Sequence, residues 1–191
     1  MKKIYLIHGW GGHPNEHFFP HLEKELNING FEVIQPQMPN TDVPKIEEWV
    51  PFISKFVQFL DKDTYFVGHN ISCQAILRYL ENQNIKIGGA IFVAGWFDLD
   101  KLENSESAEI AKPWIKNPID FEKIKNVCPK ITVFLSSNEP YNFVEKNKKI
   151  FEEKLNAKVF VMENKGHFCE SDGVTKLPEV LEALNEMLKL K

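Results

Sequence analysis

The 191-residue chain has no uninterrupted apolar run approaching the roughly 20 residues that a helical membrane span requires, so no membrane association is expected. Its 23 Lys and Arg residues form no cluster, and 27 Asp and Glu bring the net charge to −4. That balance argues against nucleic acid and anionic lipid as partners. Cysteine is scarce: Cys73, Cys128 and Cys169 are odd in number and scattered. They suit a reducing, cytoplasmic setting better than a disulfide scaffold. No G-x-G-x-x-G pattern occurs, and the Gly-rich stretch near the N-terminus lacks the Lys-Ser/Thr ending of a phosphate loop. No nucleotide or other cofactor is therefore expected. H-E-x-x-H is also missing; His13, His17 and His21 are spaced by four, but Pro14 and Pro20 interrupt them, so no metal site is expected. The first eight residues carry too short an apolar run for a signal peptide and no small-residue cleavage site, and read as a strand.

What is present is an ordinary globular composition, 43% hydrophobic and 26% charged, long enough to bury a core. Short apolar runs at 3–8, 31–34, 64–67, 89–94, 131–135 and 158–162 read as six strands. Between them, helical spacing of apolar residues predicts helices over 15–28, 45–60, 71–80, 144–155 and 174–190. Pro51 predicts a kink or a late start in the second of these. Residues 95–129 lose the pattern and read as an excursion over the sheet edge with short helices. Strand and helix alternate, and the strands are continuous apolar runs. That is the signature of an α/β fold, a mainly parallel sheet covered on both faces. With no repeat or linker, residues 1–191 read as a single domain.

In such a sheet, ligands bind beyond the carboxyl ends of the strands. Four features lie there: His8-Gly9-Trp10-Gly11-Gly12-His13, Gly68-His69-Asn70-Ile71-Ser72, Asn138-Glu139-Pro140, and Lys165-Gly166-His167-Phe168. The second has the strand-turn-helix setting of the nucleophile elbow G-x-S-x-G, but Asn70 stands at its tip and Ser72 replaces the second Gly. Elbow, acid and His follow in that chain order. His167 is then the candidate general base, because imidazole titrates near working pH. Glu139 is the candidate that orients it. The backbone N–H of Ile71 and one near Trp10 are the candidate oxyanion donors.

With these motifs in place, the chain resembles the small single-domain serine hydrolases of the retinoblastoma-binding-protein type. Met38-Pro39-Asn40, Glu48-Trp49, Ile87-Gly88-Gly89, Val93-Ala94-Gly95 and Asp172-Gly173 add to the match. The resemblance implies a minimal α/β-hydrolase fold, with six mainly parallel strands in the order 2-1-3-4-5-6. It also implies a Ser-His-Asp triad acting on small esters. The chain departs from that family pattern at Asn70, Glu139 and Ser72.

A carboxamide nitrogen is delocalised and is no nucleophile near neutral pH; loss of the Ser alone in a related triad costs about 10⁶ in kcat. Weak or absent ester hydrolysis is expected, with binding of a small acyl or ester-like molecule retained. Ser72 lies two residues on, about 200° around the helix from Asn70, and is expected to face away. Cys169 is off the elbow and Cys73 is on its packed side. His13, His69, Trp96, Phe97 and Phe168 are the expected pocket residues. Trp96, Phe97 and Trp114 either line an apolar pocket or belong to the core. Two alternatives stand beside this reading. One is a non-catalytic module that holds a protein partner. The other is an active hydrolase, through Asp at position 70 after deamidation or with Asn70 an engineered exchange for Ser.

Overall fold

A computed structural model describes residues 1–102 and 104–189. Six strands, β1 (Lys3–Ile7), β2 (Glu32–Ile34), β3 (Thr64–His69), β4 (Gly89–Val93), β5 (Ile131–Ser136) and β6 (Lys158–Met162), form one parallel sheet in the order 2-1-3-4-5-6. The central strands β3, β4 and β5 are buried from end to end, which is why they read as unbroken apolar runs. The edges differ: β2 is half-buried and β6 exposes Phe160 and Val161.

Among the described residues, seven α-helices cover the sheet: α1 (Phe19–Ile28), α2 (Ile46–Phe56), α3 (Ser72–Leu80), α4 (Ser105–Lys116), α5 (Phe121–Val127), α6 (Val144–Leu155) and α7 (Pro178–Lys189). Helices α1 and α7 pack together on one side, while α2, α3, α5 and α6 adjoin one another on the other. No helix among the described residues is long and apolar enough to cross a membrane.

Several boundaries differ from the sequence expectation. Helix α1 starts at Phe19 rather than at residue 15, because Pro20 suits a first turn and not an interior. His17, with φ 56°, lies in the turns before it. Helix α2 starts on time at Ile46, carries Pro51 inside it and stops at Phe56, so Leu60 lies beyond it. The last helix begins at Pro178, four residues later than expected, and Leu190 lies outside the described residues. The excursion contains a helix of 12 residues, α4, capped by the Asn104 side chain, which accepts from Ser107 N.

Helix α3 positions the site. All nine of its residues are buried. Gln74 and Arg78 are polar, and the terminal nitrogens of Arg78 are engaged where they lie, donating to the carbonyls of Trp114 (2.9 Å) and Asn117 (2.8 Å) and to Gln74 Oε1 (3.2 Å), while its buried Nε has no partner among the described residues. This ties the C-terminal end of α4 to the elbow helix.

Candidate active site

The turn from β3 into α3 places Asn70 in the left-handed region, with φ 59°. Asn tolerates that conformation better than most L-residues. Its backbone N–H donates to Val93 O on the neighbouring strand (2.9 Å). Close packing of the turn depends on glycine on both sides: a Cβ at Gly9 would meet Asn70 Cβ at 2.8 Å, and one at Gly68 would meet Ile76 Cδ1 at 2.8 Å. Ser72 faces away from the cavity. Its buried hydroxyl lies 2.8 Å from the carbonyls of Ile7 and His69 and accepts from His69 N (2.8 Å).

Three of the expected residues meet in a line. His167 Nδ1 stands 2.8 Å from Glu139 Oε1. His167 Nε2 is hydrogen-bonded to the carboxamide nitrogen of Asn70. The Asn70 side-chain oxygen accepts from Ile71 N and lies 3.4 Å from the Trp96 indole nitrogen. Glu139 is buried, and its second oxygen, Oε2, has no partner among the described residues. A buried carboxylate held by one bond is costly unless a cation or donor stays beside it, so Glu139 depends on the His167 N–H.

The His167 loop is braced on all sides. Asp172 Oδ2 accepts from His167 N (2.8 Å) and Cys169 N (3.1 Å). Gly166 N donates to Asn138 Oδ1 (2.8 Å), and Lys165 N to Ser136 Oγ (2.9 Å). Gly166 has φ 54°, and a Cβ there would fall 2.2 Å from Asp172 Cγ. His17 and Glu170 clasp the loop from outside: His17 N donates to Glu170 Oε1 (3.1 Å) and Glu170 N to His17 Nδ1 (3.3 Å).

A cavity of about 460 Å3 opens above this line. Trp10, Asn70, Trp96, Tyr141, His167 and Cys169 surround its floor, and Leu99, Leu102 and Ile110 reach it from the excursion. Of the expected pocket residues, Trp96 lines it; His13, His69, Phe97 and Phe168 do not. His13 is exposed and faces Glu16 (3.7 Å). Phe97 is turned toward Phe151 and Phe121, its ring centroid 4.8 Å and 5.4 Å from theirs; buried Asn147 accepts from the backbone N–H of both Phe97 and Asp98. Phe168, with φ 60°, points into the core.

His69 lies beneath the site instead of in its wall. Its Nε2 is 2.8 Å from His167 O, and it packs edge-on against Phe18 and Phe19. Burial, reinforced by nearby His167, holds its pKa well below 6.5, so it is neutral and donates from Nε2 to that carbonyl. Cys169 touches the cavity, but burial pushes its thiol up to about 12, and its Sγ donates to His167 O (3.6 Å). It is therefore protonated and a poor nucleophile. Burial also raises the Cys73 thiol. His8 hydrogen-bonds backbone, its Nε2 accepting from Met38 N (3.0 Å). The interrupted helix leaves His13 and His17 before α1, and no group of three potential metal ligands occurs among the described residues.

Two contributions escaped the sequence reading. Asp172 was visible only as half of an Asp-Gly pair, with nothing to show that it braces His167. The excursion reads as short helices, but nothing in its sequence showed that α4 would wall the cavity with Ile110.

Comparison with known proteins agrees with this architecture. A family model described as serine hydrolase matches residues 4–186. YdeN of Bacillus subtilis is 29% identical over 188 residues, 96% of this chain and 94% of that one. Serine hydrolase RBBP9 of Rattus norvegicus is 27% identical over 184 residues, 95% of this chain and 87% of the relative. The crystal structure of the B. subtilis ydeN gene product superposes with a TM-score of 0.90 at 28% identity, covering 98% of this chain and 99% of that one. Est1E from Butyrivibrio proteoclasticus, solved with ferulic acid, shares the fold at 14% identity and a TM-score of 0.74, covering 98% of this chain and 88% of its own.

Proposed function

This chain belongs to the serine hydrolase family, and from that premise we propose that it is an esterase-type protein whose nucleophile position is held by Asn70. In this reading Glu139 orients His167, His167 is the base, and the N–H groups of Ile71 and Trp10 are the oxyanion donors. The cavity binds a small acyl or ester-like molecule, and turnover is weak or absent because no alcohol stands beside His167.

The observation that carries this reading is the unbroken line Glu139–His167–Asn70 at the floor of a cavity. The Asn70 carboxamide has an oxygen directed at Ile71 N and a nitrogen directed at the base. The carbonyl oxygen of a substrate acyl group would accept from the same Ile71 N–H. The amide thus supports a second effect beyond the missing nucleophile: it fills the place of the substrate carbonyl.

The experiment is Asn70→Ser, assayed beside the parent with short p-nitrophenyl esters. The expected result is esterase activity in the variant that the parent lacks, together with labelling of Ser at position 70 by a fluorophosphonate. A folded variant that neither hydrolyses nor labels overturns the reading and favours a module that holds a partner without catalysis.

A further inference from the structure

A second cavity, of about 610 Å3, adjoins the first along helix α4. Glu106 and Ile110 of α4 line both. The opposite wall also runs on without a break: Asp42 borders the first cavity, and Val43, Pro44 and Ile46 border the second. Both spaces thus lie between the 42–47 segment and the N-terminal half of α4 and share part of that wall. Together they run from Asn70 and His167 to Pro113 and Trp114. The far end is pinned, since the Trp114 indole N–H donates to Pro44 O (3.0 Å) and Arg78 holds the Trp114 carbonyl from below (2.9 Å).

We infer that the two cavities join into one trough, an extended acyl subsite that takes a linear, uncharged, apolar chain, with Ile110 setting the preferred chain length. The inference rests on the hydrolase reading above for its chemistry, though not for its binding test. Val43, Pro44, Ile46, Ile110 and Pro113 supply apolar walls along the trough. An anionic tail is disfavoured. Asp42, Glu47, Glu106 and Glu109 border the two cavities, Lys45 is the one cation among the described lining residues, and Lys45 already faces Glu48 at 3.5 Å. A chain that enters from the catalytic end must pass Glu106 and Ile110, the residues common to both lobes, and Ile110 is the apolar one of the pair. Each methylene buried there is expected to tighten binding about fourfold, the equivalent of about 0.8 kcal/mol.

The test is calorimetric titration of the parent chain with octanamide and with acetamide, neutral mimics of a long and a short acyl group. Octanamide is expected to bind at least about 30-fold more tightly, from a few buried methylenes. Ile110→Glu, and independently Val43→Glu on the opposite wall, are expected to weaken octanamide about tenfold or more. Equal affinities for the two amides, or indifference of octanamide to both variants, overturns the inference. In the Asn70→Ser background, p-nitrophenyl octanoate is expected to be preferred over the acetate, and Ile110→Trp to collapse that ratio through KM. Octanamide binding with no activity of the Ser variant on any ester overturns the hydrolase reading and leaves the trough standing. Ester activity without chain-length preference does the reverse.

Discussion

The carboxamide nitrogen of Asn70 donates to Nε2 of His167, and this bond fixes the proton on the far side of the ring. With Nε2 accepting, Nδ1 carries the hydrogen and donates it to Glu139 at 2.8 Å. That is the tautomer a general base needs. The amide cannot turn over without loss, because its NH2 group would then face the N–H of Ile71 and the indole of Trp96. In the proposed reading the ring is thus set for proton abstraction, while the carboxamide beside it is no nucleophile.

Removing the obstructing amide is expected to raise activity even without a nucleophile. Asn70→Gly frees the Ile71 N–H and leaves room for a water beside His167, and Gly accepts the positive φ. Hydrolysis of p-nitrophenyl acetate by this variant is expected to exceed that of the parent. It should stay far below that of Asn70→Ser, as triad-deleted hydrolases keep about 10³-fold over water. A Gly variant no faster than a parent of low activity assigns that low activity to the missing alcohol alone.

Glu139 is expected to matter as an orienting charge. In the Asn70→Ser background, Glu139→Gln should lower kcat about 10³-fold or more, because an amide can present a donor to Nδ1 and select the wrong tautomer. Glu139→Asp tests reach, and should fall between the two. Steady-state kinetics on one short ester, with circular dichroism as a check on folding, measures both.

Acid should destabilise the fold through three histidines. Burial lowers the pKa of His8, His17 and His69 from the ordinary 6.5. Between 6.5 and each lowered value, the unfolded chain binds the proton and the folded chain does not. Stability therefore rises with pH across that window. The contribution is fully present above about 6.5 and is lost progressively below it. Urea unfolding midpoints are expected to fall between about pH 7.5 and pH 5.5, with His69→Gln flattening the decline. A midpoint independent of pH over that interval contradicts the assignment.

Gly166→Ala is expected to be among the more damaging small changes. The new Cβ would fall 2.2 Å from Asp172 Cγ at φ 54°, so the loop must release either the positive φ or the bond from His167 N. A loss of about 2 kcal/mol or more is expected, read as a lowered thermal midpoint. Asp172→Asn keeps one acceptor oxygen and should cost less.

Much of this was legible in the sequence, for physical reasons. The strand order follows from the family resemblance, and the placement of Asn70, Glu139 and His167 follows from where apolar runs stop, because parallel strands deliver their carboxyl ends to one edge. Side-chain direction was less legible. His13 and Phe168 were assigned to the pocket as neighbours of site residues, yet adjacency in sequence does not set direction: a positive φ at Phe168 turns its ring inward. Phe97 was turned by a bond to Asn147, 50 positions away, which no local pattern announces. Short helices were legible in the excursion, but the full length of α4 was hidden because Pro113 stands inside it, where a helix is expected to stop.

The left-handed backbone at position 70 also limits which residues drift can bring there. A side chain branched at Cβ fits that region poorly, so threonine is a poor route to a hydroxyl nucleophile there, and cysteine or serine would each accept some strain. Glycine and aspartate fit more easily. The turn acts as a sieve on substitutions, and it remains in force whether or not the protein performs any reaction.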